Sequence, residues 1–166
     1  MNQILSHLQI LLVRDLRGMK SEIAAYPDDE MVWQTPASIS NSAGVLAMHG
    51  CGNLSHYIGH VLGGTDYVRD RPLEFAVQSL SREEISREID STISMLESVL
   101  PSLDISRLAE NFPERVGGHL LNTQAFLLHL TTHLSFHLGQ VGYLRRMMTD
   151  SNTSTSPVSL SDFGLE

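Results

Sequence analysis

The chain has 166 residues, 42% apolar and 18% charged, a balance that suits one globular domain rather than a disordered segment. Its formal charge of −8, with only 11 Lys plus Arg, rules against a nucleic-acid-binding surface and against docking on anionic lipid. A single cysteine, Cys51, excludes an internal disulfide framework and a thiolate zinc cluster.

The six prolines divide the chain into four helical patterns. The first covers about 2–25, with Ile4, Leu8, Leu12, Leu16, Met19 and Ile23 at three- and four-residue steps. The second covers about 41–62, starting at the capping cluster Ser40-Asn41-Ser42 and stopping at Gly63-Gly64. The third, about 81–100, opens on the capping box Ser81-x-x-Glu84 and ends before Pro101. The fourth covers about 122–148, and Arg145 and Arg146 in its last turn suit the helix dipole. These predict an all-α four-helix bundle over 1–150 with long connections, followed by a flexible Ser/Thr-rich tail over 151–166. No run of about 18 apolar residues could span a bilayer. The start, MNQILSHLQILLVRD, lacks the basic residues and cleavage site of a signal peptide, so a cytoplasmic protein is expected.

Eight histidines are many for this length, and six fall on two of the helices. With each residue advancing by roughly 100°, His49, Asn53, His56 and His60 share a stripe of the second helix, while His129, His133, His137 and Gln140 form a matching seam on the fourth. Phe126, Leu130, Val141, Leu144 and Met148 fall within about 40° of His137, so the His133 and His137 rings are expected on a dry face. An unpartnered polar ring there costs on the order of 1–3 kcal/mol. A metal ion would satisfy both, and His-x-x-x-His spacing supplies adjacent ligands from one helix. His49 and His60 lie about 16 Å apart along the axis, too far for one ion. Two sets stay open: His49 with His133 and His137, leaving a free position, or a closed set of His56, His60, His133 and His137. Neither seam carries an acidic residue that would act as a general base.

The stretch from Ser42 through His49-Gly50-Cys51-Gly52-Asn53, with the later His133-Leu134-Ser135-Phe136-His137-Leu138-Gly139-Gln140, resembles the DinB superfamily of metal-dependent four-helix-bundle enzymes and its YfiT-like branch. The segment Gly63 to Pro72 is similar to an uncharacterised bacterial branch, and the likeness covers residues 1 to 150. The resemblance implies an up-down-down-up bundle and a metal held by His49, His133 and His137, with zinc the first candidate and nickel or iron behind it. It further implies either transfer of a low-molecular-weight thiol such as bacillithiol or mycothiol to a small molecule, or hydrolysis. Asn53 and His56 are the expected catalytic residues, orienting the nucleophile. Three histidine ligands and no base tilt the expectation toward a metal-dependent thiol S-transferase with a small-molecule substrate and a thiol co-substrate. A homodimer is the expected assembly. The competing expectation is a non-catalytic metal-binding or stress-related bundle with a closed histidine site. The Tyr67-x-Arg69-Asp70-Arg71 cluster reads either as an arginine over the pocket for an acidic substrate or as a solvated loop held by local ion pairs.

Overall fold

Each of the four long helices starts at a residue whose side-chain oxygen accepts from the first turn. The computed structural model describes residues 2–76, 79–155, 158 and 161–163. Helix α1 (Gln3–Ala24) is capped by Asn2, and α2 (Ala43–Leu54) by Ser42, which accepts from Val45 N. A short helix, α3 (Arg71–Ala76), precedes α4 (Arg82–Ser102), whose Ser81 and Glu84 form the reciprocal capping box. Helix α5 (Thr123–Thr149) is capped by Asn122. Among the described residues there is no β-strand, only two isolated antiparallel bridges, Asn111 with Asn122 and Val116 with His119. Nor is any helix among them long and apolar enough to cross a membrane.

Helix α1 packs against α4 and α5, and α2 packs against the same two, so α1 and α2 sit diagonally across the core. Side-chain pairs give the directions. Asp15 meets Ser135 and Glu22 meets Arg145, so α1 and α5 run together. Lys20 holds Asp90 while Arg17 reaches Glu97, so α4 runs against α1. Positions 59 and 63 of the second helical segment abut Met95 and Val99, so it runs with α4. Returning along the bundle between these two parallel helices takes a long connection, and α3 lies within it. The core between the helices is aliphatic, with Leu12, Ile23, Ile58, Ile85 and Ile89 fully buried. Each such side chain contributes roughly 1.5–3 kcal/mol through removal from water.

One helix boundary is corrected here. Helix α4 does not stop before Pro101 but includes it one residue from its end, although proline has no N–H to donate to the carbonyl four residues back. Arg145 is buried, and its Nε lies 2.5 Å from Glu22 Oε2 on α1. Three positions of the Ser/Thr-rich end contact the helices. Thr155 donates to Glu22 Oε1, the Thr153 carbonyl accepts from Arg145, and Phe163 packs edge-on against His7. The expectation for residues 156–157, 159–160 and 164–166 of the tail lies outside the described residues.

The largest departure is in the second helix. From Ser55 to Leu62 it continues as a π-helix, closing with Gly63 N bonded to the Ile58 carbonyl. A π turn takes more residues than an α turn, so each step advances by less than 100°. Beyond Leu54 every side chain therefore lags behind its α-helical position.

A candidate metal centre

His49 comes from α2, His133 and His137 from adjacent turns of α5. One nitrogen from each lies within 4.8 Å of the other two. The Nε2 atoms of His133 and His137 are 3.0 Å apart, and both rings stand edge-on to His49 with centroids 5.4 Å from it. His49 is buried at 8% exposure, whereas His133 and His137 are half-buried. The dry-face expectation is corrected accordingly: Leu130, Leu134, Leu138 and Val141 fill the core, and the two histidines stand at its edge.

The outward nitrogens of His49 and His137 are already engaged. His49 Nδ1 lies 2.9 Å from Glu74 Oε2, and His137 Nδ1 lies 2.7 Å from Gln140 Oε1. Both partners are acceptors, so each Nδ1 carries the proton and each Nε2 keeps its lone pair. On His49 that lone pair now accepts from Asn53 Nδ2 at 3.0 Å. Burial, reinforced by the charges His137 and His49 would carry, pushes the His133 pKa down to about 4. Burial likewise lowers His137, against the opposing hydrogen bond to Gln140. Both rings are thus neutral near pH 7, the form that binds a cation.

Glu74 is the residue that sequence reasoning missed. It lies on α3 with its carboxylate buried, holding His49 with one oxygen while Arg69 grips both, Nε to Oε1 at 2.6 Å and Nη2 to Oε2 at 2.9 Å. Burial alone would raise the Glu74 carboxyl, but hydrogen bonds from His49 and Arg69 and the Arg69 charge hold it below its ordinary value. Gly52 makes room for it, since a Cβ there would run into the carboxylate. Two glycines flanking Cys51 inside a helix, each costing up to about 1 kcal/mol against alanine, were the available signal that something approaches closely.

Neither His56 nor His60 joins the cluster. Their rings stack on each other with centroids 5.9 Å apart. His56 Nε2 meets Glu114 at 3.1 Å, and His60 Nδ1 donates to the Thr65 carbonyl. His129 is exposed and stacks on His133. Cys51 is buried, facing away among core residues, and burial lifts its thiol to about 12. Trp33 caps one end, its Nε1 donating to the Leu80 carbonyl.

The three nitrogens, two of them 3.0 Å apart and with the outer atoms of His49 and His137 tied back, form a donor set that fits a divalent transition metal, whose nitrogen ligands sit about 2.0–2.1 Å from the ion. A carboxylate behind one histidine and an amide oxygen behind another are the usual outer supports of such a site. A cavity of about 420 Å³ adjoins the cluster, with His49, Asn53 and His133 in its wall. Fold and site thus define a helical bundle with a histidine cluster at the edge of its core.

Over residues 3–160 the chain matches, and belongs to, the family described as Protein of unknown function (DUF1572). No curated protein matches it. A crystal structure of a conserved protein from Enterococcus faecalis superposes with a TM-score of 0.72, covering 91% of this chain and 100% of that one at 14% identity. At that identity the likeness speaks to the fold alone.

Proposed function

We propose that this chain is a metal-dependent enzyme of the DinB-like type, holding a divalent transition metal through His49, His133 and His137 and using it on a small molecule. Zinc is the first candidate, with nickel or iron as alternatives that three imidazoles serve almost equally well. The observation that carries the reading is the convergence of three ring nitrogens from two helices beside an open cavity. Among the described residues no fourth histidine, cysteine or carboxylate joins them.

A cation in such a site supplies Lewis acidity, lowering the pKa of a thiol or water that reaches it. The chain's own groups do the rest. Glu74 and Gln140 fix the tautomers of His49 and His137. Asn53, one turn beyond His49 and in the cavity wall, is placed to orient an incoming nucleophile by its amide. Glu74 is committed to His49 and Arg69, and Glu114 to His56, so neither serves as a free base within the cluster. An acidified thiol needs no base, which favours thiol transfer over hydrolysis. His56, paired with Glu114 away from the cluster, has no step in this reading.

Elemental analysis of protein purified without chelator, beside a His137→Ala variant, tests it. About one transition metal per chain is expected, and its loss in the variant. The loaded protein should then conjugate a low-molecular-weight thiol to an electrophile. Metal absent from the wild type, or unchanged in the variant, would overturn the reading.

A further inference from the structure

The arginines of the Tyr67-x-Arg69-Asp70-Arg71 segment, two residues apart, have different fates. Arg69 is neutralised: its side chain lies largely buried, grips both oxygens of Glu74, and sits over the Tyr57 ring with Cζ 5.5 Å from the centroid. Arg71 has no carboxylate partner among the described residues. The nearest acid in sequence, Asp70, is turned the other way, its Oδ1 accepting from Leu73 N at the start of α3. Arg71 instead lies over the Phe75 ring, with Cζ 5.3 Å from the centroid, and the other neighbour of Phe75 is His49, at 4.9 Å between centroids. The guanidinium is thereby braced beside the histidine cluster, and it lines the same cavity as His49 and His133.

The cavity wall therefore carries two chemically distinct groups. One is the ring nitrogens of His49 and His133. The other is a planar cation whose donors face no acid among the described residues, on a chain that carries a net charge of −8. Tyr57, Phe126 and Leu130 add apolar surface to the same wall. A guanidinium pairs with carboxylate or phosphate through two parallel hydrogen bonds, each charge-assisted. The volume, about 420 Å³, falls in the range that encloses a small organic molecule.

We infer that the molecule acted on at this site carries a carboxylate or phosphate, which Arg71 grips while the reactive end lies against His49, His133 and His137. This rests on the function proposed above and narrows its substrate to small anions. Arg71 is the anchor; Arg69 is not, because its charge is already answered by Glu74.

A matched pair of probes tests it: 3-mercaptopropionate, which carries a carboxylate, and 3-mercapto-1-propanol, its neutral counterpart. Calorimetric titration of cobalt-loaded protein gives both affinities for the wild type, Arg71→Gln and Arg71→Lys. The wild type should bind the carboxylate at least about tenfold more tightly. That preference should collapse toward unity in Arg71→Gln and survive in part in Arg71→Lys. Arg71 is exposed and donates no hydrogen bond among the described residues, so circular dichroism and cobalt content should match the wild type. Equal affinities in the wild type, or no binding of either probe, would overturn the inference. So would a preference that persists in Arg71→Gln, since the metal's own charge would then explain it. The cobalt spectrum separates the two claims. A carboxylate preference that follows Arg71 without any cobalt–thiolate absorption would sink thiol chemistry and leave the anchor standing.

Discussion

Glu74 reaches from a six-residue helix to place a carboxylate oxygen 2.9 Å from Nδ1 of His49, a residue 25 positions earlier. That one bond ties the connection between the parallel helices to the histidine cluster. It also decides which nitrogen of His49 is free.

Glu74→Gln should weaken zinc affinity about 10–100-fold, the usual penalty for losing an outer carboxylate, as read by chelator competition. The same change leaves Arg69 buried without its counter-charge. The fold should therefore lose stability by up to about 3–5 kcal/mol, the range for breaking one side of a buried pair. Removing both charges separates the effects. Arg69→Met with Glu74→Gln should regain most of the stability and none of the zinc affinity. Full zinc affinity in Glu74→Gln would show that His49 does not need the carboxylate.

Gly52→Ala probes the same contact from the other side. In an ordinary helix interior the change stabilises by up to about 1 kcal/mol. Here the added methyl would collide with the Glu74 carboxylate, so Glu74 must move and the sign should reverse, by about 1–3 kcal/mol. Gly50→Ala is the comparison, because its Cβ would meet only a Leu134 methyl at 3.3 Å. Urea unfolding and zinc affinity of both variants give the answer: only Gly52→Ala should lose both. Equal behaviour of the two would contradict the packing described.

The four long helices were legible because apolar spacing, capping residues and prolines all act locally and agree. The observed bounds, such as Gln3–Ala24 against 2–25, differ by a residue or two. The histidine pair of α5 was legible for the same reason, since α geometry holds throughout that helix. The π-helix that begins at Ser55 was not legible, because no side-chain propensity marks that change of backbone. Glu74 was out of reach because α3 lies in a charged segment that reads as loop. Nothing local links residue 74 to residue 49. The same holds for Glu22 and Arg145, 123 positions apart.

That second buried pair should matter to stability alone. Arg145 donates to Glu22 Oε2 and to the Thr153 carbonyl, so it fastens α5 to α1 and draws the C-terminal segment onto both. Arg145→Ala strands Glu22 in the interior and should cost about 3–5 kcal/mol. Arg146→Ala, one position on and only partly buried, should change stability by less than about 0.5 kcal/mol. Zinc affinity, measured well below the melting temperature, should be unchanged in both. A comparable loss of stability in Arg146→Ala would contradict this assignment of the charge.

The fold should also weaken in alkali, for a reason centred on Cys51. Burial raises its thiol from the ordinary 9.0 to about 12, and burial raises the Tyr26 hydroxyl as well, which has no hydrogen-bond partner among the described residues. Between pH 9 and 12 the unfolded chain gives up the Cys51 proton while the folded chain keeps it. The unfolded state then binds fewer protons, so stability falls as pH rises through that window. Below pH 9 both states hold the proton and the effect vanishes. Urea unfolding at pH 8, 10 and 11 should show the decline, and Cys51→Ala should flatten it at some expense in packing at pH 8. At pH 8 the native thiol should also resist iodoacetamide until urea exposes it, because the buried group has almost no thiolate. Rapid alkylation of the folded protein, or an alkaline slope unchanged in Cys51→Ala, would mean that Cys51 titrates in contact with water.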